Sequence, residues 1–315
     1  MIEGLPGGYR ARGLRPADDL DAVLGLIAAA DAVDVGFEDS VRSIIEDNWR
    51  SERFDPARDA VVIFAPDGSL AAEGECTGRP GADVEAYARV HPGHRGRGIG
   101  VSFLAWSERR APSHVGAGAK PALLNSVPSE DAAAEALLSA HGYRRTRIFQ
   151  HMERSLRDLG PPHAAPDGIA IRPAVVPGDL PAAHAAMQEA FVGHFGFVPD
   201  PFDAWRSEWM DAPEADPGLF LLAWDGAELA GAALCMNATP VGWVGDVGVR
   251  PAWRGRGIGE ALMFATFSNL AARGFAEARL NVDAGNETGA VRLYERVGMT
   301  VRRGWHVHEK PLTGG

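Results

Sequence analysis

The sequence has little of what would direct a protein to a membrane, to nucleic acid or to an oxidising compartment. No stretch approaches the ~20 consecutive apolar residues that a membrane-spanning helix needs, and the opening MIEGLPGGYRARGLRP lacks the apolar centre of a secretion signal. The net charge is −11, whereas binding to a nucleic acid duplex usually requires a basic face. We therefore expect a cytoplasmic protein with neither nucleic acid nor membrane as a partner.

Cysteine is scarce as well. Cys76 and Cys235 each end an apolar, strand-like stretch, the first beginning at Leu70 and the second at Leu229. Without a secretion signal, two small buried thiols are a better interpretation than a disulfide. The histidines are scattered without the spacing of metal ligands, so the sequence predicts no metal site.

One six-residue string, Arg-Gly-Arg-Gly-Ile-Gly, occurs twice, at Arg95–Gly100 and at Arg254–Gly259. Each copy follows a short apolar stretch that ends in Val-x-Pro, and each precedes an apolar, helix-like run. A strand, a glycine-rich turn and a helix start form an arrangement that grips phosphate, because the glycines let the backbone come close and free N–H groups point at the anion. The sequence therefore predicts two anion-binding loops.

The sequence contains two copies of one unit. Five anchors recur in the same order at offsets of 156 to 159 residues: Arg15-Pro16-Ala17 with Arg172-Pro173-Ala174, Cys76 with Cys235, Arg95 with Arg254, Asn125 with Asn281, and Gly142 with Gly298. A stretch rich in proline and glycine separates the copies and is typical of a linker. We predict a first domain at 1–155, a linker at 156–168 and a second domain at 169–315.

In the second copy, apolar periodicity predicts strands and helices in alternation. Strands are expected at 169–172, 219–224, 229–236, 243–249, 278–282 and 304–308. Helices are expected at 180–191, 202–210, 260–273 and 288–297, the last two closed by Gly274 and Gly298. This order indicates an α/β protein with a mixed sheet flanked by helices.

These motifs resemble the GCN5-related N-acetyltransferases (GNAT). The family's loop, Gln/Arg-x-x-Gly-x-Gly/Ala, is matched by Arg254, Gly257 and Gly259 and again in the first copy. The stretch from Asn286 to Met299 is similar to the family signature Asn…Ala-x-x-Leu-Tyr-Glu-x-x-Gly-Phe, with only Met299 departing from it. The resemblance covers nearly the whole chain, and the two-copy layout is similar to that of the mycothiol synthases, in which the second copy is catalytic.

The resemblance implies two tandem α/β (α+β) domains, each with a mixed, largely antiparallel twisted sheet flanked by helices. It also implies acetyl-CoA as the acetyl donor. In the second copy the donor would contact Val247, Val249, Arg254, Gly255, Arg256, Gly257, Ile258, Gly259, Glu260 and Asn286. In the first copy the corresponding residues are Arg95, Gly96, Arg97, Gly98, Ile99 and Gly100.

Tyr294 stands at the position of the family's general acid, where it would protonate the departing thiolate. Asp246, on the strand before the loop, is the candidate base, but it could instead bind substrate or be a solvated residue while an ordered water accepts the proton. The wall for the acetyl acceptor is expected from an aromatic stretch and the last strand: His194, Phe195, Phe197, Trp205, Glu208, Trp209, Trp305 and His306. Aromatics at helical spacing are also typical of a core.

The first copy aligns Leu138 with Tyr294 and Glu130 with Asn286, so it lacks the acid. Its loop could bind a CoA-like pyrophosphate or persist only as a turn. We expect an acetyl-CoA-dependent N-acetyltransferase acting on a small-molecule amine in the second copy, as a monomer or homodimer. The alternatives are acetylation of an aminosugar–cysteine conjugate, as in the mycothiol synthases, and a non-catalytic acyl-CoA-binding regulator.

Overall fold

The computed structural model describes residues 2–34, 36, 42–51, 53–78, 82–115, 121–161, 163–211, 215–238, 241–286 and 288–312. The chain forms two compact units. Unit 1 contains the residues up to Arg147 together with the segment from Trp305 onward, and unit 2 contains Ile148–Gly304.

Unit 1 has six strands in the order β1-β2-β3-β4-β5-β12. They are β1 (Arg10–Gly13), β2 (Ala60–Phe64), β3 (Leu70–Gly78), β4 (Val84–Val90), β5 (Ala122–Pro128) and β12 (Thr300–Pro311). Its helices are α1 (Pro16–Asp34), α2 (Arg42–Arg50), α3 (Pro56–Asp59), α4 (Ile99–Arg110) and α5 (Ala132–Ala140). Only β4 and β5 run parallel, and the other described pairs in the unit are antiparallel.

Unit 2 repeats this layout with the strand order β6-β11-β10-β9-β8-β7. The strands are β6 (Arg144–Ser155), β7 (Ile169–Pro173), β8 (Leu221–Asp225), β9 (Glu228–Ala238), β10 (Val241–Val249) and β11 (Glu277–Asp283). The helices are α6 (Leu180–Phe191), α7 (Phe202–Met210), α8 (Ile258–Ala272) and α9 (Ala290–Arg296). Gly274 and Gly298 follow α8 and α9 with φ of 89° and 80°, which confirms the predicted helix ends.

Apolar side chains cover both faces of each sheet. In unit 1, Phe103 of α4 packs on one face, and Trp49 of α2 packs with Val62 on the other. In unit 2, Phe267 of α8 and Trp205 of α7 lie on opposite faces in the same way. This mixed sheet between two helical layers confirms the predicted fold class.

Both cysteines are free and fully buried, as the sequence predicted. Cys76 lies on β3 and Cys235 on β9, which are equivalent strands of the two units. None of the helices in the described part of the chain is long and apolar enough to cross a membrane.

The two units differ from the domain boundaries that the sequence predicts. Phe149–Ser155 of β6 pairs with β11 of unit 2, and Trp305–Pro311 of β12 pairs with β5 of unit 1. Each sheet is thus completed by the strand that follows the last helix of the other copy. The exchange is possible because a duplicated sequence supplies an equivalent strand in each copy.

Candidate active site

A cleft opens in unit 2 where β10 and β11 separate. The two parallel strands pair only from Val241 to Trp243, opposite Glu277–Arg279. Beyond Trp243, β10 continues to Val249 with no β11 partner in the described ladder. Its backbone N–H and C=O groups on that side are available to an extended ligand, which can add to a strand edge as another strand would. Val247 and Val249 lie on this open stretch.

A β-bulge precedes Asp246. The register between β9 and β10 shifts between Val244 and Asp246, so Gly245 is an extra residue. A Cβ at position 245 would lie 2.6 Å from the Trp209 ring, so only glycine fits the bulge beside α7. The sequence analysis missed this feature, although a lone glycine inside a strand pattern is a signal for it.

The phosphate loop of unit 2 has the backbone that anion binding requires. A short 3-10 turn, Pro251–Trp253, leads into Gly255 and Gly257, whose φ angles are 77° and 80°. Helix α8 begins at Ile258, so its first N–H groups have no partner within the helix. A Cβ at Gly259 would lie 3.2 Å from Leu293 Cδ2, a tight contact that Leu293 would have to relieve by a small shift.

The arginine side chains of this loop stabilise its conformation through hydrogen bonds and an ion pair with the protein. Arg254 donates from Nε to the carbonyl of Val249 at 3.1 Å and from Nη2 to the carbonyl of Ala190 at 2.9 Å. Arg256 pairs with Asp225 at 2.8 Å. The groups left to face an anion are therefore the backbone N–H groups of the loop, in line with the usual chemistry of such sites.

Tyr294 is buried on α9 and packs in the core beside α8. Burial raises the pKa of its phenol above the ordinary value, and the charge of Asp246 adds to the shift. The phenol is consequently protonated at neutral pH, which is the form that a general acid needs.

Asp246 is half-buried on β10. Burial, followed by the charge of Glu208 on α7, raises its pKa to about 6. A carboxylate with this pKa is ionised at neutral pH and is more basic than an ordinary aspartate. The structure thus places the phenol of Tyr294 and the carboxyl group of Asp246 within electrostatic range of each other.

The other predicted site residues have different surroundings. Asn286 accepts hydrogen bonds from the backbone N–H of Thr288, at 2.8 Å, and from its hydroxyl, so its side chain shapes the turn before α9. Trp205 and Trp209 are core residues, 4% and 5% exposed. Phe195 packs near Phe149 with ring centroids 6.3 Å apart, and His194 is partly buried with a lowered pKa because of burial and the nearby charge of Arg254.

Trp305 and His306, expected in the wall for the acceptor, lie in unit 1, where β12 pairs with β5 and His306 contacts Glu135 of α5. The strand exchange places them there, whereas a contiguous second domain would have kept them beside β11.

Unit 1 has the same loop but a different helix behind it. Gly96 and Gly98 have φ of 73° and 90°, and Arg95 Nε donates to the carbonyl of Val90 at 3.1 Å. The remaining guanidinium nitrogens of Arg95 bind Asp34 at 2.6 and 2.7 Å. β4 and β5 pair only from Val84 to Ala86, so they also separate beyond that point. Leu138 fills the position of Tyr294, as the sequence alignment predicted.

Comparison with known proteins agrees with this geometry. Residues 184–299 match the acetyltransferase (GNAT) family. The mycothiol acetyltransferase of Geodermatophilus obscurus is 33% identical to this chain over 309 residues, which cover 91% of this chain and 94% of that protein. The chain belongs to the GNAT family of acetyltransferases. It is an acetyl-CoA-dependent N-acetyltransferase.

Solved structures show the same two-unit fold. A GCN5-related N-acetyltransferase from Sphaerobacter thermophilus superimposes with a TM-score of 0.88 at 34% identity, covering 99% of this chain and 98% of that one. A tandem GNAT protein from the clavulanic acid biosynthesis pathway gives a TM-score of 0.75 at 18% identity, covering 98% and 99%. These chains share the tandem GNAT architecture with the present one.

Proposed function

We propose that this enzyme acetylates a primary amine of a small molecule and that the chemistry takes place in unit 2. The observation that carries the proposal is the difference between the helices behind the two clefts, because Tyr294 offers a proton where Leu138 offers none. Both units have the loop and the separated strands, so the loop alone does not single out one unit.

In this proposal, backbone N–H groups from Gly255 to Glu260 hold the pyrophosphate of acetyl-CoA, and the open edge at Val247 and Val249 pairs with its pantetheine arm. Bound acetyl-CoA supplies a thioester that a neutral amine can attack. A backbone N–H at the bulged strand polarises the thioester carbonyl, as an oxyanion hole does. This assignment is supported by the unpartnered stretch of β10 and by the positive φ of Gly255 and Gly257.

Tyr294 transfers its proton to the departing thiolate. A free phenol has a pKa near 10 and a thiol about 8.5, so this step is uphill by roughly 2 kcal/mol in water. Burial of the thiolate in the same cleft raises the thiol pKa, and burial also raises the pKa of Tyr294, so the cost of the transfer depends on the difference between the two shifts. Tyr294 keeps its proton at neutral pH, which supports this role.

Asp246 accepts the proton of the ammonium group, directly or through water, before the amine attacks. With a pKa of about 6, it lies about 2 units below an α-amino group and about 4 units below a lysine-like amine. Transfer of a proton to Asp246 therefore costs about 3 kcal/mol from an α-amino group and about 6 kcal/mol from a lysine-like amine, since one pKa unit is about 1.4 kcal/mol. This difference favours an acceptor amine of low pKa.

We infer that the acceptor is an α-amino group of the kind found in an aminosugar–cysteine conjugate. A relative that is 33% identical over 91% of the chain is named mycothiol acetyltransferase, which supports this class. The test is a thiol-release assay with acetyl-CoA and a panel of amines graded by pKa, including cysteine conjugates of glucosamine, free amino acids and alkylamines. The conjugates should give the highest kcat/KM, and a preference for alkylamines would contradict the assignment.

We also propose that the loop of unit 1 binds a CoA-like pyrophosphate without turnover. Gly96 and Gly98 reproduce the loop geometry of unit 2, while Leu138 removes the acid. Calorimetry with CoA should give two binding sites per chain. A single site, lost on substitution in unit 2, would show that the first loop persists only as a turn.

A further inference from the structure

Two glutamates of unit 1 are buried side by side where no step of the proposed reaction uses them. Glu73 and Glu75 on β3 are 1% and 4% exposed. Gly74, between them, faces Phe103 of α4, so the two carboxyl groups point to the opposite face, where α2 packs. Trp49 of α2 donates its indole N–H to Glu75 Oε1 at 2.6 Å.

The strand beside them carries two more polar groups on the same face. Arg89 of β4 is directly opposite Glu73, and Tyr87 is opposite Glu75, to which it donates a hydrogen bond. Arg89 Nε also lies 3.9 Å from Asp31 of α1. Arg89 thus lies near three carboxyl groups, those of Glu73, Glu75 and Asp31.

One oxygen of this cluster is left without a donor. Glu73 Oε1 is buried and has no hydrogen-bond partner among the residues that the structure describes. Glu73 and Glu75 lie two residues apart on the same face of β3, so a proton held between them would relieve the repulsion of two buried carboxylates. Burial raises the pKa of Glu73 well above its ordinary value, and the charge of Glu75 adds to the shift. A buried carboxylate oxygen without a donor is costly, so its retention calls for a ligand that supplies one.

The second copy of the fold shows that the sheet does not need these groups. The pairs of unit 2 at the same positions are Ala232 opposite Gly248 and Leu234 opposite Asp246. The sheet forms there with small and apolar residues in three of the four places. Glu73, Glu75 and Arg89 are therefore specific to unit 1, and Tyr87 stands at the position where unit 2 has Asp246, its candidate base.

The cluster also reaches solvent. Tyr87 is 37% exposed and follows Ala86, the last residue of β4 that pairs with β5. Its hydroxyl bonds to Glu75, so this residue connects the buried carboxyl pair to the surface.

We propose that unit 1 binds a small primary ammonium compound through Glu73, Glu75 and Tyr87. The ammonium group donates to Glu73 Oε1 and to the carboxylate of Glu75, and the Tyr87 ring lies against the cation. The ammonium keeps all its protons, and the proton that Glu73 and Glu75 share leaves to solvent as both become ionised. This site lies outside the acetyl-transfer site of unit 2 and makes no use of it, since Leu138 leaves unit 1 without a general acid.

Isothermal titration of the full-length protein tests this site with three probes: glucosamine, ethylamine and putrescine. N-acetylglucosamine is the matched neutral control. Titrations in two buffers of different ionisation enthalpy measure the protons released. We expect Glu73→Gln to weaken binding of at least one probe about tenfold or more and to abolish the release of about one proton. Thiol release by unit 2 should be unchanged in this variant, because Glu73 takes no part in it.

Asp246→Asn separates this site from the acceptor site of unit 2, because it should leave the proton-releasing binding event intact. Glu228→Gln, an exposed position on β9, is the carboxylate control. If Glu73→Gln does not fold, Tyr87→Phe provides the second variant and should weaken the same event. Identical isotherms for wild type and Glu73→Gln, or no saturable binding of any probe up to about 10 mM, would overturn the proposal.

Discussion

Leu138 and Tyr294 occupy the same place in their two units. The carbonyl of Leu138 accepts the N–H of Tyr143 at 3.1 Å, and the carbonyl of Tyr294 accepts the N–H of Met299 at 2.9 Å. In each case the helix ends in a glycine with positive φ, Gly142 or Gly298. Equivalent backbones therefore present an aliphatic side chain in one unit and a phenol in the other.

Tyr294→Phe should lower kcat about 10²- to 10⁴-fold, because that is the usual contribution of a general acid. The affinity for acetyl-CoA should stay close to wild type, since Phe fills the same space in the core. Thiol release under saturating acetyl-CoA gives the rate, and calorimetry gives the affinity. Tyr143→Phe, a buried tyrosine of unit 1, is the control and should leave kcat unchanged. An unaltered kcat in Tyr294→Phe would remove the residue from the mechanism.

The role of Asp246 predicts a pH dependence. Its pKa is about 6, so kcat/KM should rise as pH increases through about 6 and the carboxylate forms. Asp246→Asn should lose this rise in kcat/KM and have a lower kcat/KM than wild type above pH 6. Asp203→Asn, at an exposed position on α7, should keep the wild-type pH profile. Titration of the acceptor amine affects all three proteins equally. A limb near pH 6 that survives in Asp246→Asn would assign it to another group.

The same raised pKa affects stability in the opposite sense. The folded protein holds the proton of Asp246 more tightly than the unfolded chain, so this residue makes stability fall as pH rises from about 4 to about 6. Asparagine has no charge to bury. Asp246→Asn should therefore gain in Tm relative to wild type across this range and keep the gain at higher pH. Differential scanning calorimetry at pH 4, 6 and 8 measures the trend, and a gain largest at pH 4 would contradict it.

The two loops offer a matched pair of substitutions. Gly98→Ala places a Cβ in open space and Gly257→Ala places one in ordinary contact with Pro166, 3.7 Å away, and both positions have positive φ, so both carry a similar strain of about 1–2 kcal/mol. If this strain reduces the free energy of acetyl-CoA binding by the same amount, Gly257→Ala should raise the KM for acetyl-CoA by about 5- to 30-fold. Gly98→Ala should leave turnover unchanged. Steady-state kinetics with varied acetyl-CoA distinguishes them. Equal effects on turnover would mean that both units carry out acetyl transfer.

The strand exchange predicts which fragment of the chain keeps unit 2 intact. A fragment cut at 148–304 retains β6, whose Met152 is fully buried in the core of unit 2. A fragment cut at 169–315 lacks β6 and leaves one edge of β11 unpaired, which favours aggregation. We expect the first fragment to be folded and active and the second to aggregate, as measured by circular dichroism, gel filtration and thiol release. A soluble, active 169–315 fragment would contradict this assignment.

Local features of this chain follow from its sequence, and long-range ones do not. The loops, most strands and the helix ends at Gly274 and Gly298 depend on backbone preferences within a few residues, which a sequence pattern records. The sequence does not show whether β12 pairs with β5 or with β11, because β12 and β6 have similar sequence patterns in the two copies. Glu73 and Glu75 alternate with apolar residues on β3, a pattern normally read as a solvated face. Only the position of α2 shows that this face is covered.

The segment that completes the sheet of unit 1 is the last described strand of the chain. Residues 305–311 pair with β5, more than 170 positions earlier. During synthesis, the first unit therefore cannot close its sheet until residues 305–311 have emerged from the ribosome, although domains usually fold in the order in which they are made. The edge of β5 lacks its partner strand throughout the synthesis of unit 2, and an unpaired strand edge is a site where other chains can pair and aggregate.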